Sequence, residues 1–156
     1  ADAKILVAGE VVHDYAYYSS SDLGTALKEC VYAFRSGPMI VDAAKLGKLD
    51  FTEAKDRARQ QTDAYILWIS FVTTQDDRGN MRVAYADYAM LMPKTGDRLT
   101  FGRLKPNART VVGTGGILGL PTPSRPRNSP VQARLEMKDI ARQIPAILGR
   151  GGWLGR

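Results

Sequence analysis

The chain has 156 residues with 44% apolar and 24% charged side chains, ordinary globular usage that supports one compact domain with a sizeable core. Its longest apolar run, Ala64 to Val72, is interrupted by Ser70 and falls far short of the roughly 20 residues that cross a bilayer, so a membrane-spanning helix is excluded. The formal charge of +6 makes a polyanion or an acidic surface a conceivable partner.

The chain starts at Ala1, Asp2 and Ala3 without an initiator Met or a basic, apolar leader, which reads as a processed or trimmed form. Lys4 to Val12, KILVAGEVV, is β-branched with a central Gly and predicts a first strand or a pair of short strands. HDYAYYSSSD follows without periodicity and reads as a loop ending in a helix cap at Ser21 or Asp22. Leu23, Ala26, Leu27, Cys30, Val31 and Phe34 then fall on one face at helical period, and Gly37 stops the helix. Cys30 belongs to that buried face and reads as a small core residue. It has no second Cys to pair with, and Leu27-Lys28-Glu29 before it lacks the small residues of a lipid-attachment site.

Pro38 to Asp42 predicts a short strand, and Asp50 with Glu53 forms a capping box opening a second helix, FTEAKDRARQQ. Its apolar face is thin, Phe51, Ala54 and Ala58, so it should lie on a sheet with most of its surface in water. Ala64 to Thr74 and Met81 to Met92 are long aromatic and β-branched runs joined by QDDRGN, a hairpin. Both alternate sets of the first run are apolar, which predicts a strand covered on both faces. Asp87 is in phase with Met81, Val83, Tyr85 and Ala89, a costly placement unless the carboxylate is paired or at an edge.

A turn at Pro93 to Asp97 leads to a further antiparallel strand, Arg98 to Leu104. From about 105 to 130 the chain turns to Gly, Pro and Arg, a long basic loop in which Thr110 to Val112 alone looks like a strand. Ser129-Pro130 caps a last helix carrying Ala133, Met137, Ile140, Ala141, Ile144 and Leu148. Pro145 predicts a kink or an early end near Gln143, and residues 149–156, with Trp153, read as a flexible tail. The expected fold is a single α+β domain over residues 1–148, a mixed, mainly antiparallel sheet with helices on one main face.

Candidate chemistry is sparse. One His and one Cys cannot build the common zinc sites, so no metal and no cofactor is expected. His13 beside Asp14 is a candidate general base with no Ser, Cys or second carboxylate placed to complete a mechanism. GTGGILG, residues 113–119, lacks the Lys-Ser or Lys-Thr of a phosphate loop and runs into Leu120, Pro121 and Pro123, so it reads as a hinge. Binding features are richer. Tyr15, Tyr17 and Tyr18 make either an interface loop or rings folded onto the domain. Arg103, Lys105, Arg109, Arg125 and Arg127 form a basic surface that keeps the domain soluble or meets an acidic partner.

The element order and three local segments, ALKECVYAFRSGPMIV, TDAYILWISFV at Thr62 to Val72 and PKTGDRL at Pro93 to Leu99, resemble the TolB amino-terminal domain and the related CsgG and penicillin-binding-protein-activator domains. The resemblance covers roughly residues 4 to 104. Ile69-Ser70 stands where that family tends to have Gly, the first strand lacks the usual "vaV-pF" ending, and a long basic loop precedes the last helix. The resemblance implies a non-enzymatic periplasmic or outer-membrane-associated module that binds a protein partner or self-associates. From the residues alone the alternatives are a basic nucleic-acid-binding domain, weakened by the lack of an aromatic residue between Phe101 and Trp153 to stack bases, and an unrecognised small-molecule enzyme using His13.

Overall fold

The computed structural model describes residues 3–12, 20–37, 41–77, 79–106 and 131–150. The elements run β1 (Ala3–Val12), α1 (Ser20–Ser36), β2 (Val41–Lys48), α2 (Phe51–Gln60), β3 (Ala64–Gln75), β4 (Met81–Leu91), β5 (Arg98–Leu104) and α3 (Val131–Arg150). The strands form one five-stranded sheet in the order β2-β1-β3-β4-β5. β1 is parallel to β2 and β3, while β3–β4 and β4–β5 are antiparallel. The fold is therefore α+β with a mixed sheet, its pairings divided evenly rather than mainly antiparallel.

The helices do not share one face. The path β1-α1-β2 steps one way across the sheet and β2-α2-β3 steps back past β1. Crossovers of one hand therefore put α1 and α2 on opposite sides. The core divides accordingly. Ile5, Val7, Leu67, Ile69, Phe71, Tyr88 and Met90 pack against α1 and α3, and a smaller cluster of Ala8, Ile66, Trp68, Ala89 and Leu91 lies under Ala54 and Ala58 of α2. β3 is central and buried on both faces, as its two apolar sets require.

The periodic face of α1 is buried throughout from Leu23 to Phe34. Cys30 is fully enclosed there, and burial pushes its thiol far above the usual range, so it is an inert core residue. At α2 the Asp50 carboxylate accepts from Glu53 N–H at 2.8 Å and the Glu53 carboxylate from Asp50 N–H at 3.1 Å, satisfying two donors that the helix start leaves open.

Two boundaries differ from expectation. β2 runs to Lys48 rather than ending at Asp42, because pairing with β1 continues through a bulge at Leu46 that the sequence VDAAKLGK does not announce. α3 passes Pro145 and ends at Arg150, so of the two outcomes expected of that proline the early end near Gln143 does not occur. Pro145 costs one backbone bond, and the buried Ile144 and Leu148 on either side of it anchor the helix through that loss.

Candidate functional site

β4 changes phase at its middle. Val72 faces Tyr85 and Thr73 faces Val83, leaving Ala84 as an extra residue. Met81 and Val83 thus point with Ala86, Tyr88 and Met90 toward α1 and α3, while Tyr85, Asp87, Ala89 and Leu91 belong to the α2 side. The expected alternation that joined Asp87 to Met81 and Val83 is corrected by this bulge. Asp87 sits partly exposed beside the sheet edge and is paired: Arg103 on β5 donates to it through Nε at 2.7 Å and Nη2 at 3.3 Å.

The register aligns a polar row across four strands on this face: Glu10, Ser70, Asp87 and Arg103. One pleat along runs an apolar row, Ala8, Trp68, Ala89 and Phe101. Neighbouring strands lie about 4.8 Å apart, so Glu10 and Asp87 are separated by about 10 Å with Ser70 between them. α2 spans ten residues and covers the inner part of the apolar row, leaving its β5 end open.

That open end is a groove of about 490 Å³ lined by Phe51, Trp68, Asp87, Ala89, Arg98, Phe101 and Arg103. Trp68 forms its floor, fixed by an indole N–H bond to the Leu49 carbonyl at 3.0 Å and by an edge contact with Phe51 at 5.1 Å between ring centres. Phe101 stands on the outer lip, 65% exposed. The Arg98 guanidinium lies 4.7 Å from its ring centre and the Arg103 guanidinium 3.9 Å from that of Tyr85. On the opposite face the Tyr88 ring lies over Gly102, where an added Cβ would meet the phenolic oxygen at 2.6 Å.

Near the start of α2 the Glu10 carboxyl titrates above its ordinary range. Burial is the main cause and repulsion from Asp50 the next, with Lys48 opposing the rise and Glu53 adding to it. A folded-state value above the unfolded one means that the stability this group contributes is full below the carboxylate range and lost as pH rises through it. Glu10→Gln is therefore expected to raise Tm at neutral pH by about 1–2 °C and to leave it unchanged at about pH 3, where the carboxyl is protonated in both states. Thermal melts at the two pH values check this, and an equal gain at both would remove the electrostatic account.

Of the residues singled out from sequence, Arg103 and Lys105 lie on β5 and just beyond it. Tyr15, Tyr17, Tyr18, Arg109, Arg125 and Arg127 lie outside the described residues, as do His13, Asp14, the 113–119 glycine segment, Thr110 to Val112 and Trp153. Phe101, Arg98 and Trp68 were not picked out as a surface. The available signal was a lone Phe framed by two Arg in a short strand closing a meander. Among the described residues no three His, Cys, Asp or Glu side chains group closely enough to hold a metal ion, and no helix is long and apolar enough to cross a membrane.

No protein-family model matches the chain, and no curated protein matches it. Among solved structures, the PelC dodecamer from Paraburkholderia phytofirmans is similar at 15% identity and a TM-score of 0.42, over 90% of this chain and 87% of that one. A protein described as a neuraminyllactose-binding hemagglutinin homolog from Helicobacter pylori is similar at 9% identity and a TM-score of 0.45, over 97% of this chain and 83% of that one. Likeness at this level carries no argument about function.

Proposed function

We propose that the chain is a non-enzymatic protein-binding module whose contact surface is the Phe101 lip of the groove together with the β5 edge. One observation supports this reading above the rest: a large aromatic ring, 65% exposed on an edge strand, is stacked by Arg98 over a partly open apolar row. Aromatic and Arg side chains are the residues enriched at protein interfaces, and a stacked guanidinium is already held in place for a partner's carboxylate. The bacterial envelope as its setting comes from the resemblance to the TolB and CsgG domains.

The test compares capture by the purified chain and by its Phe101→Ser/Arg98→Glu variant, in cell-envelope extract and in nucleic-acid extract, at low and high salt. Protein captured by the parent at high salt and lost by the variant is the expected result, since apolar contact survives screening. Equal capture by both forms, or nucleic acid held at low salt alone, overturns the reading. Both side chains are exposed, so the variant should melt with the parent.

A further inference from the structure

We propose that β5 is a strand-addition edge for an extended acidic segment of a partner protein, which pairs with Thr100 to Leu104 and sets an apolar side chain into the groove beside Phe101. This rests on the protein-binding reading and narrows it to one partner chemistry.

The backbone supplies the first part of the argument. β5 pairs with β4 on one side, and among the described residues no further backbone bond takes up the outer groups of Thr100 to Leu104. A bulge at Leu99 sets Arg98 apart and leaves the five residues after it regular. An edge of this kind is a template for another strand. The opposite edge is less open: β2 carries its own bulge at Leu46, and its Ala43 carbonyl already accepts from Arg35 at 3.1 Å.

Charge selects the occupant. β5 and its extension present Arg98, Arg103 and Lys105. Asp87 neutralises Arg103, whereas among the described residues no carboxylate lies within ion-pair distance of Arg98 or Lys105. A second copy paired edge to edge would bring the same cations against these, from a chain that itself carries +6, so self-pairing is opposed. An incoming strand with Glu or Asp on one face reverses that sign. The groove takes an apolar side chain from that same face, because residues two apart on a strand share a face and Phe101, which stands between Arg98 and Arg103 on it, forms apolar walls there with Trp68 and Phe51.

Fluorescence anisotropy tests this with labelled peptides of roughly ten residues, long enough to span one edge strand. One carries Val and Glu two residues apart with Thr between them, so that both lie on one face, a second carries Lys in place of Glu, and a third repeats the Val/Glu sequence with alternate backbone nitrogens methylated. A thymidine oligonucleotide of similar length is the fourth probe. The Val/Glu peptide is expected to bind at least about tenfold tighter than both the Lys and the methylated peptides, since one lost charge pair and one lost set of backbone bonds are each worth that much. Arg98→Glu should shift preference toward the Lys peptide while leaving the melting curve in place.

Equal binding of the methylated peptide overturns strand addition, as does binding of the oligonucleotide in place of the peptides. If no peptide binds while the Phe101→Ser/Arg98→Glu variant still loses envelope proteins, strand addition fails and the protein-binding reading stands. If that variant loses nothing either, both fail.

Discussion

Glu136→Ala lowers the stability of the fold by about 3 kcal/mol, a fall in Tm of about 6–12 °C for a chain of this size. The carboxylate is 2% exposed on α3 and receives Arg82 Nε at 3.0 Å, Arg82 Nη2 at 3.2 Å and the Val83 backbone N–H at 3.1 Å. Val83 lies beside the extra residue Ala84, where the β3–β4 ladder slips, so Glu136 supplies an acceptor to backbone that the bulge disturbs. Removing it strands that donor and leaves Arg82 without its main partner. Arg82 is 38% exposed and regains some hydration, so the loss falls at or below the lower end of what breaking a buried pair costs.

Glu136→Gln keeps an acceptor for Val83 and should cost about half as much. In a double-mutant cycle, Arg82→Ala combined with Glu136→Ala should be less destabilising than the two added, by about 1–2 kcal/mol. Denaturant melts of the four proteins measure this. Strict additivity would mean that α3 is held to β4 by packing alone. The ion pairs between α3 and α1, Arg134 to Asp22 at 2.8 Å and Lys138 to Glu29 at 3.6 Å, are more exposed at their anionic ends than Glu136 and contribute less.

The elements whose residues repeat at one period were legible in the sequence. The apolar series from Leu23 to Phe34 is the buried face of α1, and the doubly apolar run after Ala64 is the central strand. The capping box at Asp50 and Glu53 was legible because two side chains three apart satisfy each other locally. What depends on distant chain was not. The placement of α2 on the second face follows from the order in which β2 and β3 flank β1. The phase change at Ala84 follows from a register with β3, and Leu46 from one with β1.

The candidate site failed to show for the same reason. Asp87 and Arg103 are sixteen residues apart and meet because β4 and β5 pair in a particular register. Phe101 is exposed because β5 is the last strand and α2 is too short to reach it. Arg103 and Lys105 were legible as charge, whereas their neighbourhood was not. A sequence reading finds the residue types of an interface more readily than the edge that presents them.

Gly9→Ala is expected to destabilise the chain by about 2–4 kcal/mol, more than core substitutions that add a methyl usually do. An added Cβ at Gly9 would collide with the Ile69 carbonyl oxygen, and Leu27 closes the space behind at 3.4 Å. The obstruction is backbone of the central strand. β1 itself is held on both sides, by β2 and β3, and the Gly9 carbonyl accepts from Leu49 N–H at 2.9 Å. Neither partner can move without opening a ladder.

Gly102→Ala makes the informative contrast. Gly102 lies on the edge strand, and the nearest atoms there are the far end of the Tyr88 side chain, which gives more readily than backbone. Its cost should be about 1 kcal/mol. Paired denaturant melts that place Gly9→Ala at least about twofold above Gly102→Ala support the account, because the same added methyl group then costs more against fixed backbone than against the tip of a side chain. Equal losses would mean that β1 and β3 separate as easily as the Tyr88 side chain gives, a result that a central strand pair buried on both faces does not permit.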